Sequence, residues 1–434
     1  MKSSLFPALL IFVLTLNSCS QHEKQVKPVQ KFTFNENPSD AGFSAKRLNL
    51  VDSMLNRLTS DGILPNAVTF VARHGNVIHN KAYGWKNIEQ KIPVKTSDIF
   101  RIASQSKAIT SVALMILYEE GRFLLDDPVS KYIPEFKNAV VMESFNEKDT
   151  SFTTRPAKGY ITIRHLLTHT SGIHYGILGD GPGNMMYSKA GIPAVNSLDP
   201  ITIEQVVKKI AGQPLMNDPG EKFLYGMNLD VAGYLIEVLS GKPLDVFMKE
   251  RIFDPVGMDD SYFYLPDNKA DRLVTLYRST PEGLKYNNNE SYQTFPVAGA
   301  KQVFLGGAGL CGPIGDYAKF CQMILNKGTF NGHRILGRKT VDIMTCNQIG
   351  DKNVDGPGLK FGLGFAISEA RAAARNLGSV GALTWGGMYA TDFLIDPEED
   401  MVILIYTNTQ PYSGPEFSAL FNILVYQALE GNDL

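Results

Sequence analysis

Ser104-Gln105-Ser106-Lys107 opens an apolar run that reads as a helix. A serine three residues before a lysine on a helix puts both side chains on one face, with Cβ atoms roughly 5–6 Å apart. At that separation a neutral amine can accept the hydroxyl proton, and a serine is a useful nucleophile only beside such a base. The chemistry implied is acyl transfer through a covalent intermediate on Ser104, with Lys107 as base in its uncharged form, which burial favours. At ordinary residue frequencies roughly one or two Ser-x-x-Lys tetrapeptides arise by chance in a chain this long, so context has to carry the reading. His165 and His169 have the i, i+4 spacing of a metal pair. Leu166 follows His165, however, so His-Glu-x-x-His is absent and both read as structural. Gly-x-Ser-x-Gly is absent too, which disfavours a Ser-His-Asp hydrolase.

The elements that must position Ser104 follow from periodicity. Leu48, Leu50, Val51, Leu55 and Leu58 recur at a helical period over 44–60. Asn66–Arg73 and Asn76–Gly84 read as two strands joined at His74-Gly75. The nucleophile helix is expected from Ser104 to Glu120, stopped by Gly121. Residues 122–330 show helical stretches at Ile163–Leu167, Ile203–Ala211, Asn228–Leu239, Leu244–Arg251 and Gly315–Leu325, without strong strand signals. Leu383–Asp396 and Met401–Asn408 read as paired strands around Asp396–Asp400, and a last helix is expected near 415–429. The expected fold is α+β: an antiparallel sheet flanked by terminal helices, with an all-helical lobe (about 122–330) inserted in a hydrolase domain spanning 44–434. A cleft between the lobes would hold the site.

With these elements placed, the chain resembles the serine β-lactamase-like superfamily. It is nearest the branch of class C β-lactamases, family VIII carboxylesterases and DD-peptidase-like enzymes. The resemblance rests on five segments in order, covering most of 44–429: Phe100–Lys107, Ile161–Gly172, Pro219–Met227, Gly306–Leu310 and Trp385-Gly386-Gly387. It implies that Ser104 is the acyl-forming nucleophile and that Tyr225 shares proton handling with Lys107. The oxyanion N–H groups would be those of Ser104 and Met388. Trp385, Gly386 and Gly387 would border the substrate, the glycines leaving a strand edge clear for the acyl group.

The chain departs from the family pattern at two places. Trp385-Gly386-Gly387 fills the slot of the Lys-Thr-Gly motif, so the cation that binds a substrate carboxylate is missing and neutral acyl groups are favoured. Tyr225-Gly226-Met227 replaces Tyr-x-Asn, with Asn228 one position late as a possible substitute contact. Ester hydrolysis of family VIII type is the first expectation. Amide chemistry (a DD-peptidase-like enzyme or weak β-lactamase) and a slow penicillin- or peptide-binding module are the alternatives. No cofactor and no metal are called for. His174 and Tyr175, which follow the Ser171-Gly172 turn, read as cleft-bordering residues or, by preference, plain loop residues, and the 176–200 loop reads as either a specificity lid or a surface loop.

Met1-Lys2 and the apolar run Leu5–Leu16 read as a signal peptide over 1–18. Leu16-Asn17-Ser18-Cys19 resembles a lipoprotein cleavage box, which makes Cys19 the lipidation site, 19–43 a tether, and the cell envelope the location. The membrane would be reached only through that anchor. A net charge of -2 leaves no basic excess for nucleic acid. Cys311, Cys321 and Cys346 remain, without metal-type spacing.

Overall fold

Residues Met401–Tyr406 are apolar at every position because both faces of their strand are covered. Val402, Leu404 and Tyr406 enter one buried cluster, Met401, Ile403 and Ile405 another. The computed structural model describes residues 28–35, 37–176, 181–193, 195, 197–354, 358–370, 372 and 377–430. Its main sheet contains β1 (Thr33–Phe34), β2 (Asn66–Arg73), β3 (Asn76–Asn87), β4 (Leu359–Phe361), β5 (Ala366–Ser368), β6 (Leu383–Gly387), β7 (Thr391–Asp396) and β8 (Met401–Tyr406). They lie in the order β1-β3-β2-β8-β7-β6-β5-β4. On one face α1 (Ala45–Ser60) and a C-terminal helix, Phe417–Tyr426, bury Leu48, Val51, Leu55, Leu58, Phe421 and Val425. The other face carries α2 (Ser106–Glu119) and the rest of the chain between the two halves of the sheet.

The mixed α+β fold, with terminal helices against the sheet, is the one expected. The β2–β3 hairpin turns at His74 (φ 51°) and Gly75 (φ 74°). The sheet is not purely antiparallel, because β1 pairs parallel to β3 through Thr33↔Asn76 and Phe34↔Val77. These residues lie inside the stretch read as tether, whose polar composition hid a two-residue strand. The inserted lobe is not all-helical either. Val140–Asn146 pairs with Ser151–Pro156 and Tyr277–Thr280 with Gly283–Tyr286, both as antiparallel hairpins. These hairpins are largely solvent-facing, so they lack the apolar alternation that marks a buried strand. Leu383–Asp396 is itself a hairpin, β6 turning into β7 at Met388-Tyr389-Ala390. Within 176–200 the described residues include a helix, Pro182–Lys189. The leader and Cys19 lie outside the described residues. Among those described, no helix is long and apolar enough to cross a membrane.

Candidate active site

A single turn of 3-10 helix, Ala103–Gln105, delivers Ser104 to the N-terminal end of α2. Ala103 is forced to φ 43°, a left-handed conformation that costs an alanine about 1 kcal/mol and persists only where neighbours impose it. They do so here. Ser106 Oγ donates to Ala103 O at 2.6 Å and accepts from Leu310 N at 3.0 Å, while Ile102 N donates to Leu310 O at 3.1 Å. The 306–310 glycine segment thus clamps the nucleophile turn from behind.

Lys107 is buried, and its Nζ donates to Ser104 Oγ at 3.2 Å and to Gly307 O at 2.7 Å. Lys107 Nζ lies 4.7 Å from the centre of the Tyr225 ring and 5.1 Å from that of Tyr175. Tyr225 is half-buried, and its hydroxyl accepts a long hydrogen bond from Trp385 Nε1 at 3.4 Å. The Tyr225 and Trp385 rings sit 5.3 Å apart. Ser104, Lys107, Tyr225 and Trp385 therefore converge in one place from α2, from the loop before helix Asn228–Ser240, and from β6. The turn after β6 also reaches this place, since Met388 packs on the cluster of Ala103, Leu276 and Tyr389.

Two expectations need correction and a third gains a second reason. Asn228 does not face the cleft. It is fully buried, donating to His169 Nδ1 at 3.0 Å and accepting a short bond from Ser171 Oγ. A one-residue delay on a helix turns a side chain by about 100°, which carries the amide inward. Gly386 and Gly387 also have a packing reason that the sequence did not show, because protein atoms occupy the positions a side chain would take. A Cβ on Gly387 would lie 2.3 Å from Ile102 O, and one on Gly386 would lie 2.5 Å from Asp392 Oδ1. Tyr175 is not a plain loop residue, since its ring stacks on Tyr225 at 5.5 Å and 10°.

His169 and His165 carry structural hydrogen bonds. His165 Nδ1 accepts from Thr162 N at 3.2 Å, closing a capping box. His169 Nδ1 accepts from Gly226 N at 3.3 Å and its ring lies 4.7 Å from that of Tyr225. Burial, and then the charge of Lys107, hold this imidazole well below its ordinary titration range, so it stays neutral and fixes the tyrosine segment. Among the described residues no His, Cys, Asp or Glu group is arranged to hold a metal ion.

Sequence reasoning missed Asp230 altogether. It sits in the first turn of the Asn228–Ser240 helix, fully buried, and Gly307 N donates to its Oδ1 at 2.9 Å. An aspartate inside the apolar run Leu229–Leu239 was the available signal, because a buried carboxylate demands a partner.

A nucleophile turn set over the helical face of this sheet, with a lysine against the serine and a tyrosine over the lysine, defines a serine hydrolase of the β-lactamase fold. The chain belongs to the Beta-lactamase family, whose match spans residues 51–428. Esterase EstB of Burkholderia gladioli is 29% identical over 397 residues, covering 88% of this chain and 95% of the relative. Monacolin J acid methylbutanoyltransferase of Aspergillus terreus is 28% identical over 407 residues, with 87% and 94% covered. Among solved structures, EstCE1, a hydrolase with promiscuous acyltransferase activity, superposes with a TM-score of 0.76 at 28% identity, covering 88% of this chain and 98% of its own.

Proposed function

We propose that the chain is a carboxylesterase of family VIII type that forms an acyl-enzyme on Ser104. In this reading Ser104 Oγ attacks the ester carbonyl while its proton passes to Lys107 Nζ, 3.2 Å away. The Ser104 and Met388 N–H groups take the oxyanion, Tyr225 carries a proton to the departing alkoxide, and water releases the acyl group. The observation that carries the choice of ester is the aromatic wall of Trp385 and Tyr225, whose centroids are 5.3 Å apart, backed by the buried ring of Phe361 at 5.3 Å from Trp385. This wall stands where the resemblance places a carboxylate-binding cation in amide-cleaving relatives. Two buried cations are committed elsewhere. Arg101 donates to Phe295 O at 2.6 Å and Val274 O at 2.8 Å, and Lys360 donates to Lys352 O at 3.0 Å. A neutral acyl group loses nothing by leaving water for such a wall, whereas an anionic one would be desolvated without a partner. We also propose that the protein is a lipoprotein of the bacterial cell envelope, anchored through Cys19. The leader pattern supports this, and mass spectrometry of the mature N-terminal peptide, with Cys19→Ala as control, tests it.

The test of the esterase reading uses the chain from residue 20 onward. Hydrolysis of p-nitrophenyl acetate and butyrate is compared with nitrocefin cleavage, alongside covalent labelling by a fluorescent penicillin. Ester turnover that disappears in Ser104→Ala, with little nitrocefin cleavage, is the expected result. Stable penicillin labelling without ester turnover moves the protein to the peptidase or binding side.

A further inference from the structure

We propose that Asp230 is a positioning residue for the proton transfer between Ser104 and Lys107, its carboxylate favouring the ammonium that Lys107 becomes. The inference rests on the acyl-enzyme reading above and concerns a residue which that reading does not use. Gly307 joins the two groups. Its carbonyl accepts from Lys107 Nζ at 2.7 Å and its N–H donates to Asp230 Oδ1 at 2.9 Å. A side chain at this junction would press on the carboxylate, since a Cβ on Gly307 would lie 2.5 Å from Asp230 Oδ2. Oδ2 itself is buried without a hydrogen-bond partner among the described residues. A carboxylate enclosed in this way is costly unless a charge stands near it.

Burial pushes the Asp230 carboxyl up to about 6, and the positive charge of Lys107 is the foremost influence acting against that rise. Coupling of this kind is reciprocal: if the lysine cation favours ionised Asp230, ionised Asp230 favours the lysine cation by the same amount. Among the described residues, the other groups facing Lys107 carry no negative charge that could replace it. Tyr225 and Tyr175 present ring faces, Gly307 a carbonyl, and His169 a neutral imidazole that itself responds to the lysine charge. Asp230 in turn is felt by the Tyr175 hydroxyl, which burial holds protonated.

In the chemical step the Ser104 O–H bond breaks, its proton forms the third N–H of Lys107, and the serine oxygen bonds to the acyl carbon. The charge left on Lys107 is the one Asp230 faces. Removing that carboxylate charge makes the transfer harder and loosens the hold of the Ser104–Lys107 pair on its proton.

The test measures kcat/KM for p-nitrophenyl acetate from pH 5 to 9 in the wild type, Asp230→Asn and Asp230→Glu. Fluorophosphonate labelling of Ser104 is followed over the same range. Asp230→Asn is expected to lower the alkaline plateau at least ~10-fold and to move the acid limb about one pH unit lower, while Asp230→Glu keeps the limb in place. Superimposable acid limbs for Asp230→Asn and the wild type overturn the proposal, whatever happens to the plateau. Should Asp230→Asn fail to fold, Gly307→Ala, which displaces the carboxylate through its Cβ, must move the limb in the same direction or the proposal falls. Ser104→Ala separates the two readings. Residual turnover there sinks the acyl-enzyme reading, and an unmoved limb in Asp230→Asn sinks only this one.

Discussion

Gly387→Ala isolates the contact that holds strand β6 against the nucleophile turn. The added Cβ would lie 2.3 Å from Ile102 O and 2.5 Å from Thr391 Oγ1. Ordinary contact begins at 3.4 Å, so the deficit against Ile102 O is 3.4 − 2.3 = 1.1 Å. The carbonyl cannot retreat freely, because Gln105 N donates to it at 3.1 Å and Thr391 Oγ1 at 3.5 Å. Either β6 moves outward with Trp385 and Met388, or the turn carrying Ser104 shifts. A displacement near 1 Å at reacting groups is worth about 10²-fold in rate, and overpacking of this kind costs about 1–3 kcal/mol of stability. Gly386→Ala supplies the internal comparison, since its Cβ meets Asp392 Oδ1 at 2.5 Å, the far end of a side chain rather than backbone. The expected outcome is a kcat/KM for p-nitrophenyl butyrate about 10²-fold lower in Gly387→Ala and within a few-fold of wild type in Gly386→Ala. Thermal melts run in parallel confirm that both variants are folded. Wild-type turnover in a folded Gly387→Ala would show that β6 does not set the site geometry.

Three further outcomes follow from buried polar groups. Asn228→Ala removes the acceptor of the Ser171 hydroxyl and one of the two donors to His169 Nδ1, so it should lower stability by about 1–3 kcal/mol in urea melts and reduce kcat without changing preference among acyl chains. Arg101→Met leaves the carbonyls of Val274 and Phe295 buried without a donor and should cost several kcal/mol or prevent soluble expression, read by yield and melting temperature. Burial holds the His79 ring below its ordinary value of 6.5, only partly offset by Asp52. The unfolded ring therefore binds a proton that the folded one refuses, and stability should fall as pH drops below about 6.5. Asp52 adds a second loss. Burial raises its carboxyl, but hydrogen bonds from His79, Lys81 and Tyr83 outweigh that and hold it far below 3.8, so its contribution survives above that pH and fades on further acidification. Urea midpoints at pH 7.5 and 5.5 measure the first loss and those at pH 4 and about 2.5 the second, and His79→Gln should flatten the first step.

What the sequence made legible was whatever a local period or a contiguous motif encodes. The α1 stripe, the β2–β3 hairpin, the nucleophile helix and the tyrosine segment all sit where the residues indicate. Most of the misses share a cause, since they depend on a partner distant in sequence. Asn228 could be aimed only by knowing that Ser171 and His169 lie behind it. The two strand glycines acquire their reason from Ile102 and Asp392, and Asp230 from Gly307. The hairpin at Val140–Pro156 escaped because a strand pair facing solvent has no apolar rhythm to detect. Tyr175 joined the site only once the fold stacked it on Tyr225.

The two residues of β1 have a consequence for how the molecule behaves among its copies. By pairing along Asn76 and Val77, Thr33 and Phe34 cover part of a row of N–H and C=O groups that β3 would otherwise present bare. An uncovered strand edge is a template for another chain, and proteins blunt such edges with short strands and irregular cover. Asn331 N, donating to Gln30 O at 3.1 Å, pins the segment from its other side. A chain shortened to begin at residue 44 keeps every residue of the active site yet should self-associate as its concentration rises, while one beginning at residue 28 stays dispersed.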